Sequence, residues 1–145
     1  MVEIKFCGLT RPEDARAAAA LGARYMGVVL ADSPRQVSHE LALSVLDQTT
    51  GGAARVGVFG AASSAEVTAR ATSLALDVVQ LHGDPNPATI ADVRHGWSGQ
   101  VWAVARVAGG ESEFGIWGAG TLLPGVDDDR LALLNGANLS GDWRL

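Results

Sequence analysis

Short apolar segments alternate with helix-forming segments along the first two thirds of the chain, and this alternation constrains the fold more than any other feature. The segments that we predict to be strands begin at residues 3, 25, 55, 77 and 100, which gives a repeat of 22 to 30 residues. Strands and helices that alternate at this pitch are typical of βα units, which form a parallel sheet covered by helices. The pitch alone fits either an open doubly wound sheet, such as a five-stranded flavodoxin-like one, or an arc of a (βα)₈ barrel.

Capping residues mark where the predicted helices begin and end. Thr10 and Glu13 stand three residues apart, as Ser63 and Glu66 do, which is the spacing of a capping box. Gly22 is in the position of a carboxyl-terminal cap for the first helix. With these signals the predicted strands are 3–6, 25–30, 55–59, 77–81 and 100–105, and the predicted helices are 12–21, 38–48, 63–74 and a fourth that opens at 86–87.

Composition and motifs exclude several classes of function. The chain has 145 residues, which fits the single domain that we predict over 1–145, and its net charge of −5 leaves no basic surface for nucleic acid. Neither GxGxxG nor GxxxxGK[ST] follows a strand, which argues against a dinucleotide or nucleoside triphosphate. We predict no cofactor and no metal ion.

The amino terminus and the cysteine content indicate a cytoplasmic protein. The first residues resemble a strand rather than a signal peptide, and the apolar run 25–31 is too short to cross a bilayer. The one cysteine excludes an internal disulfide framework and suits a reducing compartment. We therefore predict a cytoplasmic location and no membrane partner.

That cysteine, Cys7, lies at the end of the first predicted strand and before the first predicted helix. Gly8 follows it, and there the backbone can turn or let a ligand approach closely. Ligands of α/β sheets bind at such junctions because free N–H groups and the helix dipole converge there. A thiol beside a helix amino terminus ionises more readily than a free one. The alternative is a small buried cysteine that only packs.

Four segments resemble the phosphoribosylanthranilate isomerase family, the (βα)₈-barrel enzymes of tryptophan biosynthesis. The segments are KFCGLTRPEDA, GARYMGVVLADSPRQVS, RVGVF and LDVVQLHGD, and they occur in the family's order and spacing within residues 2–107. The resemblance implies a barrel arc in which the ends of these segments meet at the face that carries the active site. It also implies an Amadori rearrangement, in which a small phosphosugar–anthranilate substrate opens and isomerises to an aminoketose.

The same resemblance implies roles for individual residues. Cys7 matches the cysteine of the family's KxCG motif and is implied to be the base that removes the sugar C2 proton. Arg35 matches the SPR motif, whose arginine holds the anthranilate carboxylate, and a guanidinium suits that group through two parallel hydrogen bonds. Gln80 and His82 fall in QLHG and are implied to face the pocket. Without the family, Arg35 would be interpreted as a solvated loop residue and His82 as a structural, hydrogen-bonded histidine.

Residues 108–145 do not follow the family pattern, and we predict a divergent tail there. These 38 residues are too few for three further strands, so we predict an incomplete barrel of about five to six βα units. The segment 120–124 is the nearest match to a sixth strand, with Pro124 where the family has its general acid. Asp127 begins a run of three aspartates that is more simply the cap of a short helix, 130–134, and it is a weaker candidate for the acid. The tail could be a native divergent end, a truncated or frame-shifted product, or part of a selected fragment.

Three functions stay open at this stage. The chain could be a working isomerase, a catalytically inactive part-barrel that binds related ligands weakly, or an interaction module. We favour an isomerase whose activity is weak or lost, because neither the acid nor the phosphate loops are recognisable. An incomplete barrel exposes two strand edges, so we also predict that apolar tail residues or a second copy of the chain, in a homo-oligomer through the open edge, cover them.

Overall fold

The structure is a computed structural model that describes residues 3–83, 85–106 and 114–118. Its strands are β1 (Lys5–Cys7), β2 (Tyr25–Val29), β3 (Ala54–Phe59), β4 (Val78–Leu81), β5 (Gln100–Arg106) and β6 (Phe114–Gly118). Its helices are α1 (Pro12–Ala20), α2 (His39–Leu46), α3 (Ser64–Ser73) and α4 (Pro87–Gly96). Every strand and helix predicted before residue 107 is present, with bounds that differ from the prediction by at most two residues.

The first five strands are parallel and lie in the order in which they occur along the chain. β1 pairs with β2, β2 with β3, β3 with β4 and β4 with β5. A flavodoxin-like sheet would instead have the order 2-1-3-4-5, with a reversal after the first strand. The sequential order is the one that a (βα)₈ barrel requires, so it favours the barrel arc over the doubly wound alternative.

Apolar side chains cover both faces of the sheet in unequal amounts. The larger cluster includes Met26 and Phe59, which are almost completely buried, and receives residues from all four helices. The smaller cluster joins Val56, Val78 and Trp102 and contains no helical residue. Since side chains alternate along a strand, the helices lie on one face of the sheet and the smaller cluster marks the other, which we call the inner face.

The capping box predicted at Thr10 and Glu13 is wrong. α1 begins after Arg11, which has extended backbone angles and makes no side-chain cap. The Arg11 guanidinium instead donates to the Asp14 carboxylate at 2.7 Å. Pro12 at the first helical position keeps the preceding residue extended, and this moves the cap one residue beyond Thr10.

The other helix ends lie where the sequence predicts them. Ser63 Oγ accepts a hydrogen bond from the N–H of Glu66, while the Glu66 carboxylate accepts one from the N–H of Ser63, which completes the second capping box. Gly22 has a φ of +81° just after α1, and its N–H donates to a carbonyl of the last helical turn at 3.0 Å. Ser38 Oγ caps α2 by accepting from the N–H of Leu41 at 3.2 Å.

The strand β6 is not predicted by the sequence pattern, and it runs antiparallel to β5. The segment 120–124, which the pattern favours as the sixth strand, lies outside the described residues, as do Pro124, Asp127 and the predicted helix 130–134. Only residues 107–113 connect β5 to β6, whereas a parallel connection needs a crossover of about a dozen residues or more. A connection this short permits only antiparallel pairing, as in a hairpin, so β5 is the last of the consecutive parallel strands in the described part of the chain. In that part, no helix is long and apolar enough to cross a membrane.

Gly57 in β3 faces the larger cluster, where a methyl group has no room. A Cβ on Gly57 would lie 2.5 Å from Leu76 Cδ1 and 3.0 Å from the Phe59 ring. We expect Gly57→Ala to lower the free energy of unfolding by about 1–3 kcal/mol, the usual cost of overpacking a core. Gly27→Ala in β2 is the matched control, because its Cβ would make only ordinary contacts at 3.5 Å. Urea denaturation measures both variants, and a wild-type midpoint for Gly57→Ala would contradict this packing.

Candidate active site

The carboxyl ends of the parallel strands bring the sequence-predicted residues to one edge of the sheet. Cys7 is the last residue of β1, is exposed, and pairs with Gly27 of β2. Arg35 lies in the loop that follows β2, Gln80 lies in β4, and His82 follows β4 directly. All four predicted residues are therefore at the edge where a barrel carries its active site.

The backbone after Cys7 turns back onto β2. Gly8 has a φ of +77°, a conformation that residues with a Cβ rarely adopt. The N–H groups of Gly8 and Leu9 both donate to the carbonyl of Gly27, at 2.9 and 3.0 Å. These two N–H groups are therefore occupied, whereas the sequence predicts free N–H groups at this junction. The bonds fix Cys7 next to Gly27.

Arg35 rests on the same turn. A Cβ on Gly8 would lie 2.9 Å from Nη1 and 3.1 Å from Cδ of Arg35, so the guanidinium and its stem occupy the space beside the glycine. The backbone N–H of Arg35 donates to Ser33 Oγ at 3.2 Å, which shapes the loop. The Arg35 side chain is exposed and forms no ion pair within the described residues. Its guanidinium is thus close to Cys7 and available to a carboxylate ligand.

Lys5 extends from β1 across the inner face of the sheet. Lys5 and Cys7 are two residues apart in one strand, so their side chains leave the same face. The Lys5 ammonium donates a hydrogen bond to Gln80 Oε1 and lies 5.4 Å from the centroid of the Trp102 ring. Gln80 is only 6% exposed and is the one buried polar side chain in the described part of the chain. An ammonium and a buried amide therefore lie beside the exposed thiol.

Burial and the neighbouring sulfur act on Lys5 in opposite directions. Burial lowers the pKa of Lys5 below its usual value, because the ammonium loses contact with water. Cys7 partly offsets this lowering of the pKa, since a thiolate attracts the ammonium and accepts a hydrogen bond from it. Burial is the larger of these effects, so the pKa of Lys5 is lowered overall.

The structure does not connect the two remaining candidates to Cys7. His82 is half-buried, and its backbone N–H donates to the Phe59 carbonyl at 2.8 Å, but within the described residues its side chain bonds neither Cys7 nor Arg35. Asp127 lies outside the described residues. No carboxylate in the described ranges pairs with Cys7 or Arg35. The roles of these residues in the reaction stay predictions.

The sequence analysis did not assign Lys5 to the site, although Lys5 is the lysine of the KxCG motif. It stands in KFCG, where it is easily taken as the polar residue of an alternating strand. The signal that could have found it is its rarity, since the chain has ten arginines and this single lysine. The period of two along β1 also places it on the face of Cys7.

The family model for N-(5′-phosphoribosyl)anthranilate (PRA) isomerase matches residues 4–103, a range that begins before β1 and ends within β5. The chain belongs to the PRA isomerase family. The PRA isomerase of Rubrobacter xylanophilus is 38% identical over 147 residues, a match that covers 100% of this chain and 71% of that protein. This alignment continues through the tail, so the tail has a counterpart in that relative even though the family model ends before it.

Solved PRA isomerases confirm the barrel-like fold of the matched part. The crystal structure of the enzyme from Thermus thermophilus has a TM-score of 0.68 and 35% identity, and the match covers 74% of this chain and 54% of that one. A PRA isomerase crystallised with reduced 1-(o-carboxyphenylamino)-1-deoxyribulose 5-phosphate has a TM-score of 0.69 and 29% identity, with coverage of 74% and 55%. The chain thus spans about half the length of these solved PRA isomerases.

The exposure of Cys7 predicts that it reacts in the folded protein. We expect native chain to consume one equivalent of 5,5′-dithiobis(2-nitrobenzoate) without denaturant, because Cys7 is the only thiol and is exposed. Cys7→Ser is the control and should consume none. Reaction that requires urea would show that the thiol is covered and would contradict the described position.

Proposed function

We propose that this chain carries the base and the anthranilate-binding part of a PRA isomerase site. The contact between Arg35 and Gly8 is the observation that carries the proposal, because it sets a guanidinium that has no ion pair within the described residues beside the residue that follows the exposed Cys7. The substrate needs both groups close together. Its carboxylate is on the anthranilate ring, the ring nitrogen is bonded to sugar C1, and the proton to be removed is on the adjacent C2.

Cys7 is the base in this proposal. An acid first protonates the ring oxygen of the sugar, the bond between C1 and that oxygen breaks, and an iminium forms between C1 and nitrogen. The Cys7 thiolate then removes the proton from C2, and the electron pair of that C–H bond forms a C1–C2 double bond as the iminium is neutralised. The resulting enol takes up a proton at C1 and releases the proton of its C2 hydroxyl to solvent, which gives the aminoketose.

Arg35 is the group that orients the anthranilate. A guanidinium can donate two parallel hydrogen bonds to one carboxylate, which fixes both the position and the rotation of the ring. The glycine at position 8 lets this guanidinium approach the backbone next to Cys7. Orientation of this kind lowers the barrier by holding C2 within reach of the thiolate.

We expect residues outside the described ranges to supply the general acid and the phosphate-binding site. No described carboxylate pairs with Cys7 or Arg35, and Asp127 is the sequence-based candidate for the acid. Barrel enzymes often bind phosphate at the loops after their seventh and eighth strands. We therefore propose that turnover is low, and that an inactive part-barrel which still binds anthranilate-like ligands is the second candidate function.

A turnover assay with matched variants tests this function. We expect the purified chain to convert PRA to the aminoketose roughly 10²–10⁴-fold more slowly than a full-length relative, the usual cost of losing a general acid. Cys7→Ser should abolish the remaining turnover, measured as product by chromatography. Asp127→Asn should lower turnover only if Asp127 is the acid, and Asp92→Asn on the exposed side of α4 is its control.

The outcomes of that assay separate the candidates. Turnover that survives Cys7→Ser would contradict the assignment of Cys7 as base. Binding of PRA or anthranilate without any turnover would instead favour the inactive part-barrel. Turnover at the rate of a full-length relative would show that the acid and phosphate site are both present in this chain.

Comparing Gly8→Ala with Gly22→Ala distinguishes the effect of displacing Arg35 from the effect of backbone strain. Gly8 and Gly22 have φ of +77° and +81°, so alanine should cost each about 1–2 kcal/mol of stability. Only the Cβ at position 8 would meet another residue, since nothing lies within 4 Å of a Cβ on Gly22. We expect similar losses of melting temperature, but only Gly8→Ala should weaken anthranilate binding, by roughly tenfold, because the guanidinium is displaced. Equal affinities in calorimetric titrations would contradict the role of Arg35.

A further inference from the structure

Lys5 differs from the other cations of the chain in both identity and surroundings. It is the single lysine beside ten arginines, and it stands two positions before the single cysteine. Arginine makes the ion pairs of the described surface, as Arg11 does with Asp14 at 2.7 Å. Lys5 has no carboxylate partner among the described residues, and its hydrogen-bond acceptor is the neutral amide of Gln80.

Lys5 and Cys7 converge over Gly27. A Cβ on Gly27 would lie 3.5 Å from Cys7 Sγ and also 3.5 Å from Lys5 Cε. Cys7 Sγ and Lys5 Cε are therefore both close to the same point above Gly27, and the distance between these two atoms is at most twice 3.5 Å. The ammonium end is held by Gln80 Oε1 and by the face of Trp102, 5.4 Å away.

We propose that Lys5 is a positioning residue for Cys7, and that its ammonium, held by Gln80 and Trp102, stabilises the thiolate and keeps the sulfur over Gly27. The inference rests on the proposed function, because a base that removes a C2 proton must be a thiolate. In this proposal the proton that leaves the thiol goes to water, and Lys5 acts on the thiolate in its charged form.

Other groups near Cys7 are less suited to this task. The N–H groups of Gly8 and Leu9 are bonded to the Gly27 carbonyl and cannot also turn to the sulfur. Arg35 is exposed, and its charge is neutralised when it binds a carboxylate. Lys5 is held by a neutral acceptor instead, so its positive charge is not cancelled and can act on the thiolate.

The rate of alkylation by iodoacetamide tests the inference in the full chain, because Cys7 is the only thiol and reacts as thiolate. We expect Lys5→Met to slow alkylation at pH 7 roughly tenfold and to move its pH profile to higher pH, and Lys5→Arg to restore part of the rate. Arg24→Met is the matched control, since it removes the same charge just before β2, at the opposite edge of the sheet. Equal rates for Lys5→Met and Arg24→Met would overturn the inference.

A second measurement needs no Lys5 variant and decides the question if Lys5→Met does not fold. Lysine-selective ¹³C or ¹⁵N labelling gives one side-chain signal, and its titration by NMR reports the pKa of Lys5. We expect alkylation of Cys7 to lower the pKa of Lys5 further, because the sulfur charge that raises it is removed. A pKa that is unchanged by alkylation would overturn the inference.

Stability distinguishes a positioning role from a structural one. Burial lowers the pKa of Lys5, so below that lowered pKa the buried charge disfavours folding, and the penalty is relieved as the pH rises toward the usual lysine value. Lys5→Met removes the penalty at neutral pH but also removes the donor to the buried Gln80, so we expect the two effects to offset each other and the melting temperature to change little. A large fall in melting temperature, together with unchanged alkylation of the folded fraction, would show that Lys5 is structural and would overturn the inference.

Different experimental results would contradict the inference about Lys5 and the proposed function. Alkylation and lysine titration need no turnover, so both results can support the coupling of Lys5 to Cys7 in a chain that does not isomerise PRA. Where turnover is measurable, Lys5→Met should lower kcat and leave KM nearly unchanged, because Lys5 acts on Cys7 rather than on the substrate. An unchanged kcat, with turnover that still depends on Cys7, would overturn the inference and leave the proposed function in place.

Discussion

The pairing of β1 with β2 determines where the groups of the site lie. Cys7 stands opposite Gly27, and the missing side chain leaves the space into which Lys5 and Cys7 both extend. The Gly27 carbonyl accepts two hydrogen bonds from the turn after Cys7, and in this turn Gly8 has a positive φ. The Arg35 guanidinium occupies the space that a side chain at position 8 would need. Gly8 in the turn after β1 and Gly27 in β2 thus leave room for a thiol, an ammonium and a guanidinium to lie near one another. A Cβ at position 8 would lie 2.9 Å from the Arg35 guanidinium, whereas a Cβ at position 27 would make only ordinary contacts with Cys7 and Lys5.

The inner face of the sheet combines an apolar cluster with a polar site, and Trp102 joins the two. Its ring contacts Tyr25 edge to face, with centroids 4.9 Å apart, and also lies 5.4 Å from the Lys5 ammonium. The indole excludes water from the ammonium and at the same time attracts it through the ring face. A charge in this position lowers the stability of the fold, because burial disfavours the charged form. Such a cost is typical of residues kept for reactivity rather than for packing.

Local sequence patterns predicted the elements well because each element depends on residues that are close in the chain. The Ser63 capping box needs only Glu66, three residues later, and no tertiary contact. The first residue of α1, Pro12, was predicted correctly, but its capping box was predicted wrongly because Pro12 overrides the spacing of the polar residues before it. The position of Lys5 could not be predicted in the same way, since its acceptor Gln80 is 75 residues away and only the sheet brings them together. The hairpin direction of β6 likewise follows from the length of one connection rather than from the pattern of its residues.

In the proposed reaction the described part of the chain supplies the thiol that removes the proton, whereas barrel enzymes often bind phosphate at their last loops. These two contributions are physically different. In the proposed arrangement the Lys5 ammonium of β1, held by the neutral amide of Gln80 in β4, acts on Cys7 whether or not a substrate is present. Affinity for a phosphosugar depends on contacts remote from the reacting carbon, and that binding energy is needed to reach the transition state. A chain with the first set of contacts and a weakened second set would keep a reactive thiol and lose turnover. Thiol reactivity therefore reports on the β1–β2 pairing by itself, and catalysis reports on the whole barrel.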